Sequence, residues 1–326
     1  MMITTTVGSY PKVAEKAYGT KLIGAISRWQ AKELSDAELE AVQADITRAV
    51  IKEQEEAGLD LLTDGQIRWE DLVTPIARRL EAFEINGLSR WFDNNTYYRR
   101  PILHKAPVWP GPILLKEYQF AASCTSKPVK AVLPGPYTFA HVSEDRYYKK
   151  ERTLVLKLAE ILNAEAQALA KAGAPLIQFD EPALGFGAPN LKLAAEALKV
   201  ATQGVKTKTA VYTYFGELNG AFQALQATPV DVIGVDVVST PSTIASLKKA
   251  KIRKALGLGC LDGRNTKLES INELHALFNA VKRLVPLDRV YISPSCGLEF
   301  LPHAQAQAKL RRVGEAVRAY RNKGAR

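Results

Sequence analysis

Acidic, thiol and phenolic side chains recur directly after short apolar runs, and these are the residue types that bind amines, move protons and hold metals. Asp180 and Glu181 follow Leu176-Ile-Gln-Phe, Asp236 follows Val232-Ile-Gly-Val, and Asp64-Gly65-Gln66 follows Leu59-Asp-Leu-Leu-Thr. A carboxylate at the end of a buried run costs free energy unless something pairs with it. Asp180-Glu181-Pro182 therefore offers a carboxylate to an amine, a proton acceptor, or the N-cap of a following helix. Asp64 with Gly65 reads as a ligand-facing acid or as a plain turn, and Asp236 reads as a functional acid. Cys296, between Ser295 and Gly297, is a thiolate or metal position, or else a buried inert thiol. Tyr212 and Tyr214 alternate, so both face one side of their strand. Gly8-Ser9, Cys260 and Arg264 stand at the ends of other apolar runs. His141 lies within reach of the same ends, but a lone histidine reads first as a hydrogen-bonded structural residue, and His104, His275 and His303 show no ligating spacing.

The elements that must position these residues follow from periodicity. Strands are expected at 3–7, 59–63, 129–133, 176–180, 209–214, 232–236, 256–260 and 290–293, each a continuous apolar run suited to burial on both faces of a parallel sheet. Helical spacing is expected between them. Ser35 is a candidate N-cap for a helix carrying Leu39, Val42, Ile46 and Val50 on one face. Others are expected near 72–83, 153–172, 191–202, 217–224, 242–250, 271–284 and 303–321. Eight strand–helix repeats are the sequence form of a (β/α)8 TIM barrel, an α/β fold whose ligands meet the C-terminal strand ends. A doubly wound sheet is the alternative, but no Gly-x-Gly-x-x-Gly turn follows the first strand. The chain reads as one barrel over 1–326, interrupted after the second strand region by an excursion over 86–128 that contains Trp91-Phe-Asp-Asn-Asn-Thr-Tyr-Tyr-Arg-Arg.

Composition narrows the function classes. The 326 residues are 47% hydrophobic and 24% charged, which suits a folded globular chain and excludes general disorder. No apolar stretch is long enough to span a bilayer, so no membrane role is expected. Met-Met-Ile-Thr-Thr-Thr-Val lacks the basic-then-apolar layout of a signal peptide, and three scattered cysteines do not form a disulfide framework, so a cytoplasmic location is expected. The formal charge of +10 is spread along the chain rather than gathered in a stripe, and no nucleic-acid motif accompanies it. The segment from Lys309 to Arg321 reads as an amphipathic helix with a basic outer face. Lys12, Lys16, Arg99, Arg100 and Arg264 are candidates for holding an anionic ligand.

Four motifs together resemble one family. Thr4-Thr-Thr-Val-Gly-Ser-Tyr-Pro, Gly135-Pro-Tyr-Thr, Ile177-Gln-Phe-Asp-Glu-Pro-Ala-Leu and Ser293-Pro-Ser-Cys-Gly-Leu look like cobalamin-independent methionine synthase, over nearly the whole chain. That enzyme has two related barrels in tandem, and this chain is the length of one. The first and last motifs resemble the catalytic C-terminal half. Trp91-Phe-Asp-Asn-Asn-Thr-Tyr-Tyr, Tyr212-Thr-Tyr-Phe-Gly and Gly259-Cys-Leu-Asp-Gly-Arg-Asn resemble the N-terminal half.

The resemblance implies methyl transfer to the thiol of homocysteine or a related thiol, from a methyltetrahydrofolate or another methyl carrier. It implies Asp180 and Cys296 as catalytic residues. Asp180 would hold the substrate amino group, and Gly8 and Ser9 its carboxylate. Asp64, Gln66, Tyr212, Tyr214 and Arg264 would complete the substrate-facing set. It also implies zinc, bound in the family by a His-x-Cys pair, a Glu and a Cys, which makes the thiol a thiolate. Here those positions carry Tyr212, Tyr214, Asp236 and Cys296, and Cys260 at the neighbouring strand end would allow a rearranged Asp236/Cys260/Cys296 set. Position 66 carries Gln in place of a second acid, Val142 stands where an aromatic would stack on the folate ring, and Arg264 stands in place of a His. The alternative implied by the N-terminal-like features is an accessory folate-binding barrel that acts with a separate zinc-bearing catalytic barrel.

Overall fold

A computed structural model describes residues 1–12, 19–218, 220–240 and 242–324. Among them the strands are β1 (Ile3–Thr4), β2 (Phe83–Arg90), β3 (Tyr97–Leu103), β4 (Ala131–Pro134), β5 (Glu144–Asp145), β6 (Leu176–Asp180), β7 (Lys208–Thr213), β8 (Val232–Asp236), β9 (Ala255–Leu261) and β10 (Val290–Pro294). The helices are α1 (Gly19–Gln30), α2 (Asp36–Glu56), α3 (Thr74–Arg79), α4 (Leu115–Ser123), α5 (Pro136–His141), α6 (Glu151–Lys171), α7 (Leu191–Thr202), α8 (Ala221–Gln226), α9 (Ser242–Lys249), α10 (Ile271–Lys282) and α11 (His303–Gly324). Two compact units are formed, unit 1 from 1–68, 117–129 and 257–326, and unit 2 from 69–116 and 130–256.

Unit 2 carries the parallel order β4-β6-β7-β8. Its register aligns Pro134 with Asp180, Asp180 with Tyr212, and Tyr212 with Gly234, which places the polar strand ends side by side. Every residue of β4, β6 and β8 is buried, as continuous apolar runs covered on both faces require. In unit 1, β1 pairs with β10 in parallel. Ser35 caps α2 as its position predicts, in a reciprocal pair with Glu38, and Ser270 and Glu273 repeat the device on α10.

Several elements differ from their expected form, each for a local reason. No strand forms over 59–63. Leu61 and Leu62 make single parallel bridges to Thr5 and Val129, because side chains take the neighbouring backbone groups. The Gln54 amide bonds both the N–H and the carbonyl of Thr63 at 2.9 Å, and the Asp60 carboxylate accepts from the Thr4 N–H at 2.9 Å. The helix expected over 72–83 is only α3, closed by Glu81 in the left-handed region at φ 47, after which Phe83 begins a strand. Helix α8 starts at Ala221, after Gly220 at φ 88. The excursion builds an antiparallel β2–β3 hairpin with β5 alongside β3. Its later part is tied to α6 by the buried Glu165 carboxylate, which accepts from Trp109 Nε1 and from the Ile113 and Leu114 amides at 2.8–3.1 Å. Lys309, expected on the outer face of the last helix, is buried instead and pairs with Glu269 at 2.8 Å.

Candidate functional site

In unit 2 a row of polar side chains ends at Asp180. Lys130, one residue before β4, is buried, and its Nζ donates to Gln178 Oε1 at 2.5 Å. Gln178 and Asp180 alternate on β6 and so share a face. Gln178 Nε2 donates to Asp180 Oδ1 at 2.7 Å, and the Tyr214 hydroxyl donates to Asp180 Oδ2 at 3.0 Å. The Lys130 ammonium also stands 5.1 Å from the centre of the Tyr212 ring, a cation–π distance. Both tyrosines thus meet the same row, as their alternation predicts. Burial pulls the Lys130 ammonium down to about 7, against the opposing pull of the Asp180 charge.

The adjacent acid does something else. Glu181 is fully buried and accepts from the Tyr137 and Thr138 amides at 3.0 and 2.6 Å, capping α5. The expected cap of a following helix is not made: Glu181 serves the earlier helix α5 instead, and Asp180 faces the polar row. Gly135 is required here, since a Cβ at that position would overlap the Glu181 side chain. Burial pushes the Glu181 carboxyl up to about 7. At the end of β8, Asp236 Oδ1 accepts from the Val238 and Ser239 amides at 2.9 Å each. Among the described residues its buried Oδ2 has no hydrogen-bond partner, and burial raises its carboxyl above the ordinary range.

An aromatic group lines the same unit. Phe92, in the turn between β2 and β3, lies 5.0 Å from Phe186, 6.1 Å from Phe215 and 6.4 Å from the His141 ring, while Phe215 adjoins Tyr214 at 4.6 Å. Phe92 and Phe215 both have left-handed backbones, at φ 49 and 76. That is strained for bulky residues, and such strain gathers at functional sites. Position 142 offers no stacking ring. Val142 is buried, and its carbonyl accepts from the Tyr98 hydroxyl at 2.7 Å.

In unit 1 the segment Gly8-Ser9-Tyr10 is pinned through its backbone. The Gly8 carbonyl accepts from Thr63 Oγ1 at 3.0 Å, the Ser9 carbonyl from the Leu298 amide at 2.9 Å, and the Tyr10 amide donates to the Gly65 carbonyl at 3.0 Å. The Tyr10 hydroxyl donates to Glu53 at 2.6 Å, and His303 Nε2 meets the same carboxylate at 2.9 Å. A Cβ at Gly297 would overlap Ser9 Oγ, so a side chain there would have to displace that hydroxyl. Buried Cys296 lies beside it, with Sγ 3.3 Å from the Gly297 carbonyl. Asp64 accepts the Gln66 amide at 3.0 Å, with Gly65 and Gln66 both at positive φ, so the turn reading of Asp64-Gly65 is realised. Burial raises the Asp64 carboxyl, with Arg68 and Lys12 opposing. The Arg264 amide donates to Asp262 at 2.9 Å, in a loop held by Glu269 and Lys309.

Among the other candidate anion-holding groups, Arg100 faces Glu144 at 3.9 Å, and Lys16 lies outside the described residues. Cys260 is buried, and burial together with Glu269 pushes its thiol far above the ordinary range, which opposes a thiolate. Among the described residues, no three His, Cys, Asp or Glu side chains gather as a metal site needs.

The sequence pattern of the family described as cobalamin-independent synthase, catalytic domain, matches residues 2–319. The chain belongs to this family. It is thereby an enzyme of the methyltransferase class. A methionine synthase of Sulfolobus acidocaldarius is 31% identical over 309 residues, which cover 94% of this chain and 88% of the relative. One of Saccharolobus solfataricus is 30% identical over 323 residues, covering 98% and 95%. The solved structure of a B12-independent methionine synthase from Shewanella sp. W3-18-1, in complex with selenomethionine, covers 100% of both chains with a TM-score of 0.84 and 22% identity. This likeness supports the α/β barrel class expected from the strand–helix rhythm.

Within this cobalamin-independent synthase the donor set does not fit the zinc that the resemblance implies. Tyr214 gives its hydroxyl to Asp180, and burial together with Glu269 pushes the Cys260 thiol up, away from the thiolate that zinc needs. Lys130, Gln178, Glu53 and the Phe92 turn were not among the residues marked from sequence. Lys130 and Gln178 had a signal, as polar residues interrupting buried runs. The Glu53–His303 contact, across 250 residues, had none.

Proposed function

We propose that this enzyme transfers a methyl group to the thiol of homocysteine or a closely related thiol amino acid. The observation that carries the reading is the match along 94% and 98% of the chain to relatives named methionine synthase. In the transfer a new S–CH3 bond forms, the bond from methyl to carrier breaks, and the thiol proton ends on the demethylated carrier or in water. Asp180 receives the substrate ammonium, and Gly8 and Ser9 receive its carboxylate on pinned backbone. Asp64, Gln66 and Arg264 in unit 1 and Tyr212 and Tyr214 in unit 2 are the further candidate substrate contacts, and Cys296 is the candidate group for serving the thiol.

The donor is a methyltetrahydrofolate or another carrier with a flat ring, a reading that the Phe92, Phe186 and Phe215 group supports. Lys12 and Arg264 are candidates for meeting donor or substrate carboxylates. The three cysteines are free thiols, which suits the cytoplasm, and among the described residues no helix is long and apolar enough to cross a membrane.

The test is direct. Purified protein is incubated with homocysteine and methyltetrahydrofolate, and methionine is measured by mass spectrometry with and without a chelator, beside a metal assay. Methionine formed by the chain alone supports the reading. No product alone, with acceleration of a separate zinc-bearing barrel, would overturn it in favour of an accessory role. That role is not favoured by the relatives, of which this chain covers 88% and 95%.

A further inference from the structure

Lys130 has no role in the chemistry described so far, yet it is only 2% exposed and lies under the residue proposed to bind the substrate. An ammonium group can only donate hydrogen bonds, so the Gln178 oxygen must face Lys130. The Gln178 NH2 must then face Asp180, which removes the usual ambiguity in how an amide points. Asp180 accordingly accepts from two donors, Gln178 and Tyr214, and has a buried cation two bonds down the chain of contacts. All three influences favour its charged form against the cost of burial.

We propose that Lys130 is a positioning residue for the substrate's ammonium group, acting through Gln178 to orient Asp180 and keep its carboxylate charged. The inference rests on the reading of Asp180 as the amino-group site. The charged and titratable groups around this carboxylate are Lys130, Tyr212, Tyr214 and, on the neighbouring position, Glu181. Lys130 is itself drawn down to about 7 by burial and held up by Asp180, so the two charges support each other. A ligand ammonium arriving at Asp180 enters a site whose electrostatics are already set from beneath.

The experiment is calorimetric binding of L-homocysteine across about pH 4 to about pH 9, which spans the ordinary carboxylate range and needs no methyl donor. The chains compared are wild type, Lys130→Met, Gln178→Met and Asp180→Asn, each checked for folding by circular dichroism. Removing the cation makes Asp180 easier to protonate. Lys130→Met should therefore weaken binding about tenfold near neutral pH and move the acid limb of the affinity profile upward by about one unit. Gln178→Met severs the same link without touching the charge and should move the limb in the same direction by less. It also serves as the test if Lys130→Met does not fold. Profiles of both variants that run parallel to wild type, lowered uniformly or not at all, overturn the proposal and leave Lys130 a packing residue. Asp180→Asn separates the two ideas. If it binds homocysteine as wild type does, the amino-group site is misplaced and both readings fall. If it loses binding while the other profiles stay parallel, only the role of Lys130 falls.

Discussion

At the β6 end of unit 2, Asp180 is held by Gln178, Tyr214 and the Lys130 ammonium behind them, and Glu181 beside it is held by two backbone amides. At the β10 end of unit 1, Ser9 and Cys296 are held by pinned backbone and by the missing side chain of Gly297. The first end is governed by charge and the second by volume. Buried charges must be answered by donors, and the answer changes with pH. A corner closed by packing responds first to an added methyl group. Each end is therefore open to a different perturbation.

Substitutions can break or sharpen this contrast. The largest effect is expected from Gly135→Ala, which forces the buried Glu181 carboxyl off its two amide donors. It should cost about 3 to 5 kcal/mol of stability by urea unfolding, as for other buried charges stripped of partners. Gly297→Ala, which sets a methyl against Ser9 Oγ, should cost about 1 to 3 kcal/mol as an overpacked site, by the same amount at every pH near neutrality. A strongly pH-dependent cost there would erase the distinction between the two ends.

Glu181→Gln comes next. In wild type the folded chain holds the Glu181 proton to about 7 against an ordinary value of 4.5. That contribution to stability is complete below 4.5 and is lost as pH rises through about 7. The slope is at most about 1.4 kcal/mol per pH unit. Unfolding titrations of Glu181→Gln should lack this slope, and an unchanged slope would show that another group carries it. The smallest effect is expected at Asp236. Asn keeps the acceptor for the Val238 and Ser239 amides and removes a carboxyl that burial disfavours, so Asp236→Asn should stay within about 1 kcal/mol of wild-type stability.

The same contrast explains what could be read from sequence. Strands β6, β8 and β10 were legible because burial on both faces demands unbroken apolar runs, and Asp180 and Asp236 were legible as acids ending them. The run over 59–63 misled, because whether it joins a ladder depends on Gln54 and Asp60, side chains whose reach no local pattern shows. Asp180 and Glu181 shared one set of readings, and only the packing of α5 gives Glu181 a separate task. The zinc positions were legible as substitutions, while the neutral state of Cys260 depends on its burial and on Glu269. The strained turns at Phe92 and Phe215 are held by contacts among rings distant in sequence, and nothing local announces them.

The cap on α5 also bears on the order in which the protein can assemble as it is made. Glu181 lies 44 residues beyond Tyr137, whose amide it satisfies. A six-residue helix is too short to persist on its own. While the ribosome is still adding α6, only water answers the first amides of the nascent α5, and nothing holds its shape. It becomes a helix only when β6 emerges and docks beside β4, carrying the carboxylate with it. The Asp180 end of the candidate site therefore cannot form on the growing polypeptide before β6 has emerged.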